Sequence, residues 1–497
     1  MADAHYDVVV IGSNPAGLVA AALLARRRIR VLVIDEEIHR KSSAGPYAFF
    51  RQLPFLFGFS THQAVDDVFS DVGVPLVAKK SIRPLPFAYQ VIMPGARVDL
   101  RGDDALLEEE LGREFPRHVK ALLSFYEETS RIDKAVKHLL ATHQNIPPRG
   151  LRERWAFERA FRRHHSGISF YRNRGIAELA GGYGFDGTVA AFLRAQILAL
   201  GHQAGDAISA WEGATALSAF RGGGFTVPGG DNGILGILRD RISALHGGFH
   251  EIDLAKTEGA GGGTFVTRGG RIEQIVLGGG AEVIRTRAVL ASLPPERLMR
   301  WIGDSYRARR YAAKIEACVP AQVDLSFHFG IEAEVVPVGM GDQVIFVADP
   351  ARPLEEANLL RFHLSPEKEE GSSPGGHRAM TVSLSADVAR LRAEDGYPEA
   401  LLAAVRKHIA SFMHFSEGRY ELIEMRPTPE ELSYAPAEDL FRYAPASSRA
   451  LVPLPFALPP FSNLSVVGRG IYPALGLAGE VQIARAAAAR ILQKLQV

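Results

Sequence analysis

The chain has 497 residues, more than one compact core holds, so two or three domains are expected. Apolar residues make up 47% and charged residues 23%, a globular balance that excludes long disorder, and a formal net charge of +1 gives no whole-molecule attraction to nucleic acid. The single cysteine, Cys318, excludes an intrachain disulfide and a cysteine-based metal site; with no bilayer-length apolar run and no leader ahead of Val8, a reducing, cytoplasmic setting is expected, with any membrane contact peripheral.

In chain order, Asp7 to Ile11 reads as a short, β-branched, fully buried strand. The turn Gly12-Ser13-Asn14-Pro15-Ala16-Gly17 follows, then an Ala/Leu-rich helix from Leu18 to Arg27, then a second strand from Arg30 to Ile34 that runs into Asp35 and Glu36. This is a complete βαβ unit with a glycine turn at its first strand-to-helix junction, the arrangement that binds a dinucleotide. Gly12 allows the tight turn, Asn14 is a preferred N-cap, and Pro15 suits the first helical position. The free N–H groups of the helix start face a pyrophosphate, Gly17 lets helix and strand pack closely, and the carboxylate of Asp35 accepts from ribose hydroxyls. The middle glycine of the fingerprint is replaced by Asn14, whose Cβ crowds a pyrophosphate but whose amide could donate to it, so weakened or rearranged binding is expected. A chance glycine turn in a structural βαβ unit is the bland alternative.

After Asp35 the chain leaves the regular βα pattern for Lys41 to Tyr47, with Gly45 its glycine, and an aromatic stretch from Phe49 to Phe59 that reads either as core or as an apolar entrance. Helical patterns dominate residues 103–220. Within them, Arg149 to Arg174 interleaves eight Arg and two Glu with Trp155, Phe157, Phe161, Phe170 and Tyr171. That pattern suits either an anionic membrane surface or a solvated helix with a few aromatics docked inward; no recognised nucleic-acid module surrounds it. His202 and Gln203, in the apolar segment Ala195 to Ala210, are candidate substrate contacts, with a structural histidine the better reading.

Residues 247–292 read as short strands with glycine turns, and Ala288 to Ala291 as a return to the parallel sheet. The glycines at 222–224 and 261–263 do not follow a strand and open a helix, so a dedicated NAD(P)H site is not expected. Strands at 322–328, 343–347, 358–363 and 380–384 suit an antiparallel sheet with one face against a core or ligand, carrying His328 and His363. An amphipathic helix is expected at 397–414. Near the C-terminus a strand at 463–467 again runs into glycines, Gly468-Arg469-Gly470, and through Tyr472, Gly476, Leu477, Gly479 and Glu480 into an Ala-rich helix, a second N-terminus suited to a polarised group.

Three segments in this order, Val8 to Asp35, Gly224 to Gly233 and Gly468 to Glu480, resemble the phytoene desaturase group of FAD-dependent oxidoreductases, related to flavin amine oxidases and retinol saturases. In the third segment Tyr472 stands where the group has His, and Arg28 stands where a glycine is usual before the second strand. The resemblance implies an α/β fold: a Rossmann-like FAD-binding domain with a small inserted β-sheet (residues 1–95 with 221–310 and 445–497), and an α+β substrate domain with an antiparallel sheet (96–220 with 311–444). It implies that Gly12, Ser13, Asn14, Pro15, Ala16, Gly17, Asp35, Glu36 and Gly45 serve the adenosine and pyrophosphate half of FAD. Gly468, Gly470, Gly476, Leu477 and Gly479 would serve the pyrophosphate and isoalloxazine, with Tyr472 the candidate aromatic beside the flavin. The implied activity is desaturation, saturation or isomerisation of an apolar isoprenoid or carotenoid-like small molecule. An amine-oxidase-like enzyme and a flavin-free prenyl or lipid carrier are the alternatives. No nucleic-acid partner is expected, and the oligomeric state is left open.

Overall fold

The computed structural model describes residues 3–36, 43–50, 55–59, 64–142, 147–148, 150–164, 166–201, 207–252, 263–303, 306–316, 320–367, 372–428, 441–443, 451, 455–472 and 475–496. The strands of its two large sheets are, in chain order, β1 (Asp3–Ile11), β2 (Val31–Glu36), β3 (Tyr89–Met93), β4 (Ala96–Leu100), β5 (Gly248–Ile252), β6 (Gly263–Arg268), β7 (Arg271–Leu277), β8 (Glu282–Ala291), β9 (Pro320–Glu332), β10 (Gln343–Val347), β11 (Leu359–Leu364), β12 (His377–Asp387), β13 (Tyr420–Arg426), β14 (Phe441–Tyr443) and β15 (Leu464–Val466). The helices that matter below are α1 (Pro15–Arg26), α2 (Ala64–Asp71), α3 (Val119–Thr142), α4 (Gly150–His164), α5 (Gly187–Leu200), α6 (Ala210–Leu217), α7 (Asp231–Ala244), α8 (Tyr397–Phe412) and α9 (Gly476–Leu495).

The first sheet has seven strands in the order β5-β2-β1-β8-β7-β6, with β15 also on β8. β5, β2, β1, β8 and β15 run parallel, while β6 and β7 form an antiparallel ribbon on the first half of β8. Val8 to Ile11 and Val31 to Ile34 are buried; α1 packs on β1 and β2 and is itself flanked by α7 and α9. The glycine-rich hairpins at 263–286 are thus continuous with the nucleotide sheet through β8. Arg28, in the turn between α1 and β2, adopts a left-handed φ of 60°, the backbone shape a glycine takes without strain.

The second sheet has eight strands in the order β13-β9-β12-β11-β10-β3-β4, with β14 also on β9. Its pairs are antiparallel except β3 with β10, which is parallel. Both strands of the β3–β4 hairpin belong here, so a division of the chain at residue 95 cuts through the turn of that hairpin. The period-two alternation has a clear consequence. Leu325, Phe327, Phe346, Phe362, Val382 and Leu384 share one face and pack in the main core, where Phe412 of α8 meets Phe346 and Phe362. The other face carries Asp324, Ser326 and His328 of β9, Arg361 and His363 of β11, Gln343 of β10 and Thr381, Ser383 and Ser385 of β12, and all but Ser385 are buried.

Buried polar groups must find partners. Asp324 accepts from Arg442 at 2.7 Å and pairs with Arg361 at 2.9 Å, and the two guanidinium groups also donate to the carbonyls of Leu198 and Ala199. Those carbonyls lie in the last turn of α5, where cations are favoured. The cluster therefore fastens α5 to the sheet. Burial depresses the Arg361 pKa, and Asp324 opposes that shift.

Candidate functional site

The parallel strands end together. Gly12 N–H donates to Ile34 O at 2.9 Å, Ser292 N–H to Ile11 O at 2.7 Å and Val467 N–H to Ala291 O at 2.9 Å. These bonds continue the ladder one residue beyond β1, β8 and β15. The turn at Gly12 and the turn at Gly468 thus stand on one sheet edge, with Ser292 between them. This carboxyl edge of a parallel sheet is where such folds hold ligands.

At the first turn, Gly12 has a φ of 98°, and a Cβ there would overlap the Ser292 carbonyl. Gly17 lies equally tight against Gly12 O and Ser292 Cβ. Asn14 has a φ of −67° and a ψ of 170°, ordinary extended backbone that needs no glycine for its conformation. Its Oδ1 accepts from Gly17 N–H at 3.0 Å and from the Ser292 hydroxyl, and its Nδ2 donates to Ser292 O at 3.0 Å. The amide is spent inside the protein, capping α1 and tying it to the end of β8. Pro15 opens the helix as expected.

The backbone N–H groups of Ser13, Asn14 and Ala16 take part in no hydrogen bond among the described residues, although Ser13 and Ala16 are fully buried. Buried N–H groups of that kind are rare. Clustered at a helix start, they form a donor set suited to a phosphate. The donor types present therefore fit a dinucleotide pyrophosphate, and because Ser13 and Ala16 have no exposed surface the turn has to open to admit one.

Asp35 sits at the end of β2, fully buried. One carboxylate oxygen accepts from Ser13 Oγ and the other is ion-paired with Arg239 of α7, whose guanidinium also lies 5.2 Å from the Phe249 ring. The acid expected to face a ribose is closed over by the chain's own groups. Arg239 carried no mark in the sequence: it lies on an ordinary helix, 204 residues from its partner. The backbone of Glu36 pairs with Ile252; its side chain, like the stretch 37–42, lies outside the described residues.

Gly45 has a φ of 62°, is exposed and has open space around it. It belongs to the turn between the short strands Ser43–Ala44 and Tyr47–Ala48, which accounts for the glycine. The following segment bridges the two sheets. Phe49 O accepts from Asp231 N–H, the first residue of α7, at 3.2 Å, and a Cβ on Gly230 would overlap that same carbonyl. The Phe49 ring lies 4.6 Å from the His328 ring, and Phe50 stacks on His363 at 3.9 Å. Phe55 and Phe57 continue to Tyr89. His328 and His363 are thus covered by aromatic rings. His202 and Gln203 lie outside the described residues.

At the C-terminal turn, Gly468 has a φ of 130°, and Gly470 is buried in the short helical turn that follows. Arg469 donates to Glu480 at 2.5 Å, linking the turn to the first part of α9. α9 begins at Gly476, a Cβ on Gly479 would overlap Leu475, and Leu477 packs beside Phe50, Phe225 and Ile234. Tyr472 is buried. Burial, and next the carboxylate of Glu212 on α6, push its phenol far above the usual range, while Arg490 of α9 opposes them. Its hydroxyl therefore lies in the field of helices α6 and α9. Among the described residues no cluster of His, Cys, Asp or Glu could hold a metal ion, and no helix is long and apolar enough to cross a membrane.

Comparison with known proteins agrees with this geometry. Residues 10–45 match the NAD(P)-binding Rossmann-like domain. The chain is built on a Rossmann-like nucleotide-binding fold. The overall fold, both large sheets included, is shared over nearly the whole chain with solved oxidoreductases. An oxidoreductase from Methanosarcina mazei is 14% identical with a TM-score of 0.57, over 97% of this chain and 100% of that one. A putrescine oxidase variant is 11% identical with a TM-score of 0.59, over 99% and 100%. Cyclohexylamine oxidase from Brevibacterium oxydans is 14% identical with a TM-score of 0.56, over 99% and 100%. In sequence, the chloroplastic prolycopene isomerase of Arabidopsis thaliana is 30% identical over 145 residues, which is 27% of this chain and 23% of that protein. The chain thus matches under a quarter of that relative's length, and the Rossmann-like match itself lies within the βαβ unit of the first sheet.

Proposed function

We propose that this chain is an FAD-dependent oxidoreductase acting on an apolar, isoprenoid-type small molecule, by desaturation, saturation or isomerisation. The observation that carries the reading is the set of buried backbone donors at Ser13, Asn14 and Ala16, on the same sheet edge as the Gly468 turn. Two glycine turns on one edge suit a long dinucleotide held at both ends. FAD, when bound, supplies a two-electron acceptor. The chain's own residues bind and position: the α1 start holds the pyrophosphate, and Phe49, Phe50, Phe55 and Phe57 screen the polar face of the second sheet at His328, His363 and Tyr89 from water. The sequence likeness to prolycopene isomerase favours the isoprenoid.

Two other readings each have an observation behind them. The shared fold of putrescine and cyclohexylamine oxidases, with the polar sheet face at His328, His363 and Thr381, favours an amine. The closure of Asp35 by Arg239 favours a flavin-free lipid or prenyl carrier. One experiment separates them. Protein purified without added cofactor is expected to show a flavin spectrum that bleaches anaerobically with a polyene in detergent. Amine-dependent peroxide formation supports the amine reading. A colourless protein that neither takes up added FAD nor loses a co-purified lipid supports the carrier.

A further inference from the structure

We propose that the outer face of α4 is a docking surface for an anionic lipid bilayer. The inference is independent of the oxidoreductase reading and concerns a different part of the molecule.

α4 is anchored by one stripe. Phe157 and Phe161 are buried, and Phe161 packs on Trp211 of α6 at 5.3 Å. Both acids of the helix are directed to the protein's own arginines: Glu158 pairs with Arg172 at 2.6 Å, and Glu153 lies 3.7 Å from Arg490. At 3.6 residues per turn, Arg152, Trp155, Arg159 and Arg162 all project within about 40° of the direction opposite Phe157. Arg152, Arg154, Arg159, Arg162 and Arg163 are all exposed, and none forms an ion pair among the described residues. The helix therefore exposes five cations that form no ion pair among the described residues, and three of them, Arg152, Arg159 and Arg162, lie on the outer face beside Trp155.

The apolar groups on the same helix decide what this charge is for. Leu151 is 85% exposed and Trp155 64%, and the Arg159 guanidinium lies 5.4 Å from the Trp155 ring. Just past the helix, Phe170 is 61% exposed with Arg174 at 3.8 Å from its ring. A solvated face gains nothing from these apolar groups. Tryptophan and leucine among arginines is the composition of a helix lying in a membrane interface. There the apolar groups enter the headgroup boundary and the long arginine stems keep their charges at the phosphates. A nucleic-acid backbone would match the charge but offers no apolar layer for Leu151. The helix lies along the surface, since no described helix crosses a bilayer.

The chain contains its own probe. Of its three tryptophans, Trp211 and Trp301 are buried, so Trp155 alone among them is exposed. Purified full-length protein is mixed with vesicles of phosphatidylcholine alone or of phosphatidylcholine with an equal part of phosphatidylglycerol. The expected result is co-sedimentation and a blue shift of tryptophan emission with the anionic vesicles only, reversed by salt. The triple variant Arg152→Gln, Arg159→Gln, Arg162→Gln should partition about a hundredfold more weakly, since each arginine at an anionic surface contributes about fivefold. Trp155→Phe should still sediment with the vesicles but lose the shift. Circular dichroism and thermal melting confirm that both variants fold. No sedimentation with anionic vesicles, equal sedimentation with both kinds, a triple variant that binds as the wild type, or binding to single-stranded RNA that outcompetes the vesicles would each overturn the proposal.

Discussion

Replacing Arg239 with methionine is the sharpest test of the nucleotide site. Both oxygens of Asp35 are engaged within the chain, and the carboxylate is fully buried beneath Arg239 and Ser13. A ribose can reach Asp35 only after Arg239 moves. Breaking a buried pair by removing one partner costs about 3–5 kcal/mol. The Arg239 side chain keeps 21% exposure, which lowers the figure to about 2 kcal/mol. Arg239→Met should therefore melt several degrees lower without ligand. In the complex the ribose hydroxyls supply Asp35 with charge-assisted hydrogen bonds worth about 1.5–3 kcal/mol. The variant no longer has an ion pair to break, so FAD should bind at least about tenfold more tightly, a difference of about 1.4 kcal/mol. Calorimetric melting with and without FAD, together with quenching of flavin fluorescence on titration, measures both effects. Arg239→Lys, which keeps the charge, should stay near the wild type. Weaker FAD binding in Arg239→Met, with ligand-free stability unchanged, would mean that Arg239 holds the cofactor and does not compete with it, and the reasoning fails.

Asn14→Ala removes both the α1 cap and the bond to Ser292, and should lower stability by about 1–3 kcal/mol in urea unfolding; Asn14→Gly should lose nearly as much, because the side chain is structural. Gly12→Ala places a Cβ on the Ser292 carbonyl at a φ of 98°, and should abolish nucleotide binding or soluble expression, read by flavin content and yield. Stability should fall as pH drops below about 6.5, the ordinary histidine value from which His408 is depressed, first by burial and then by Lys407. The unfolded chain takes up a proton there that the folded chain, with His408 against Phe346, does not. His408→Leu should flatten that part of the pH–stability profile, as measured by melting across the range.

What the sequence disclosed, and what it hid, follows from distance along the chain. The βαβ unit was legible because strand, turn, helix and strand are consecutive, and each is set by local chemistry. Four strands of the second sheet were legible as short apolar runs, the first of them by clear alternation. Its join to residues 89–93 was not, because a parallel pair leaves no local mark and Val344 finds Gln90 across more than two hundred residues. Asn14 shows both sides of this. Its capping role is visible three residues ahead at Gly17, yet the reason it faces inward is Ser292, 278 residues away. Gly45 and Tyr472 drew attention as parts of motifs. In place, the first forms a turn in open space and the second is buried in the main core.

The same argument applies to charge. A net charge of +1 says that cations and anions balance overall, and among the described residues part of that balance is achieved pair by pair. Arg239 closes on Asp35, Arg469 on Glu480, Arg172 on Glu158, and Arg361 with Arg442 on Asp324. Each of these pairs removes an arginine from the outward field. On α4 the two acids that composition would set against its arginines are drawn inward to Arg172 and Arg490, so the surface they leave is strongly cationic. A chain that is nearly neutral in sum can therefore present one face that anionic lipid attracts, and only the partner of each acid, not the count of acids, shows which face it is.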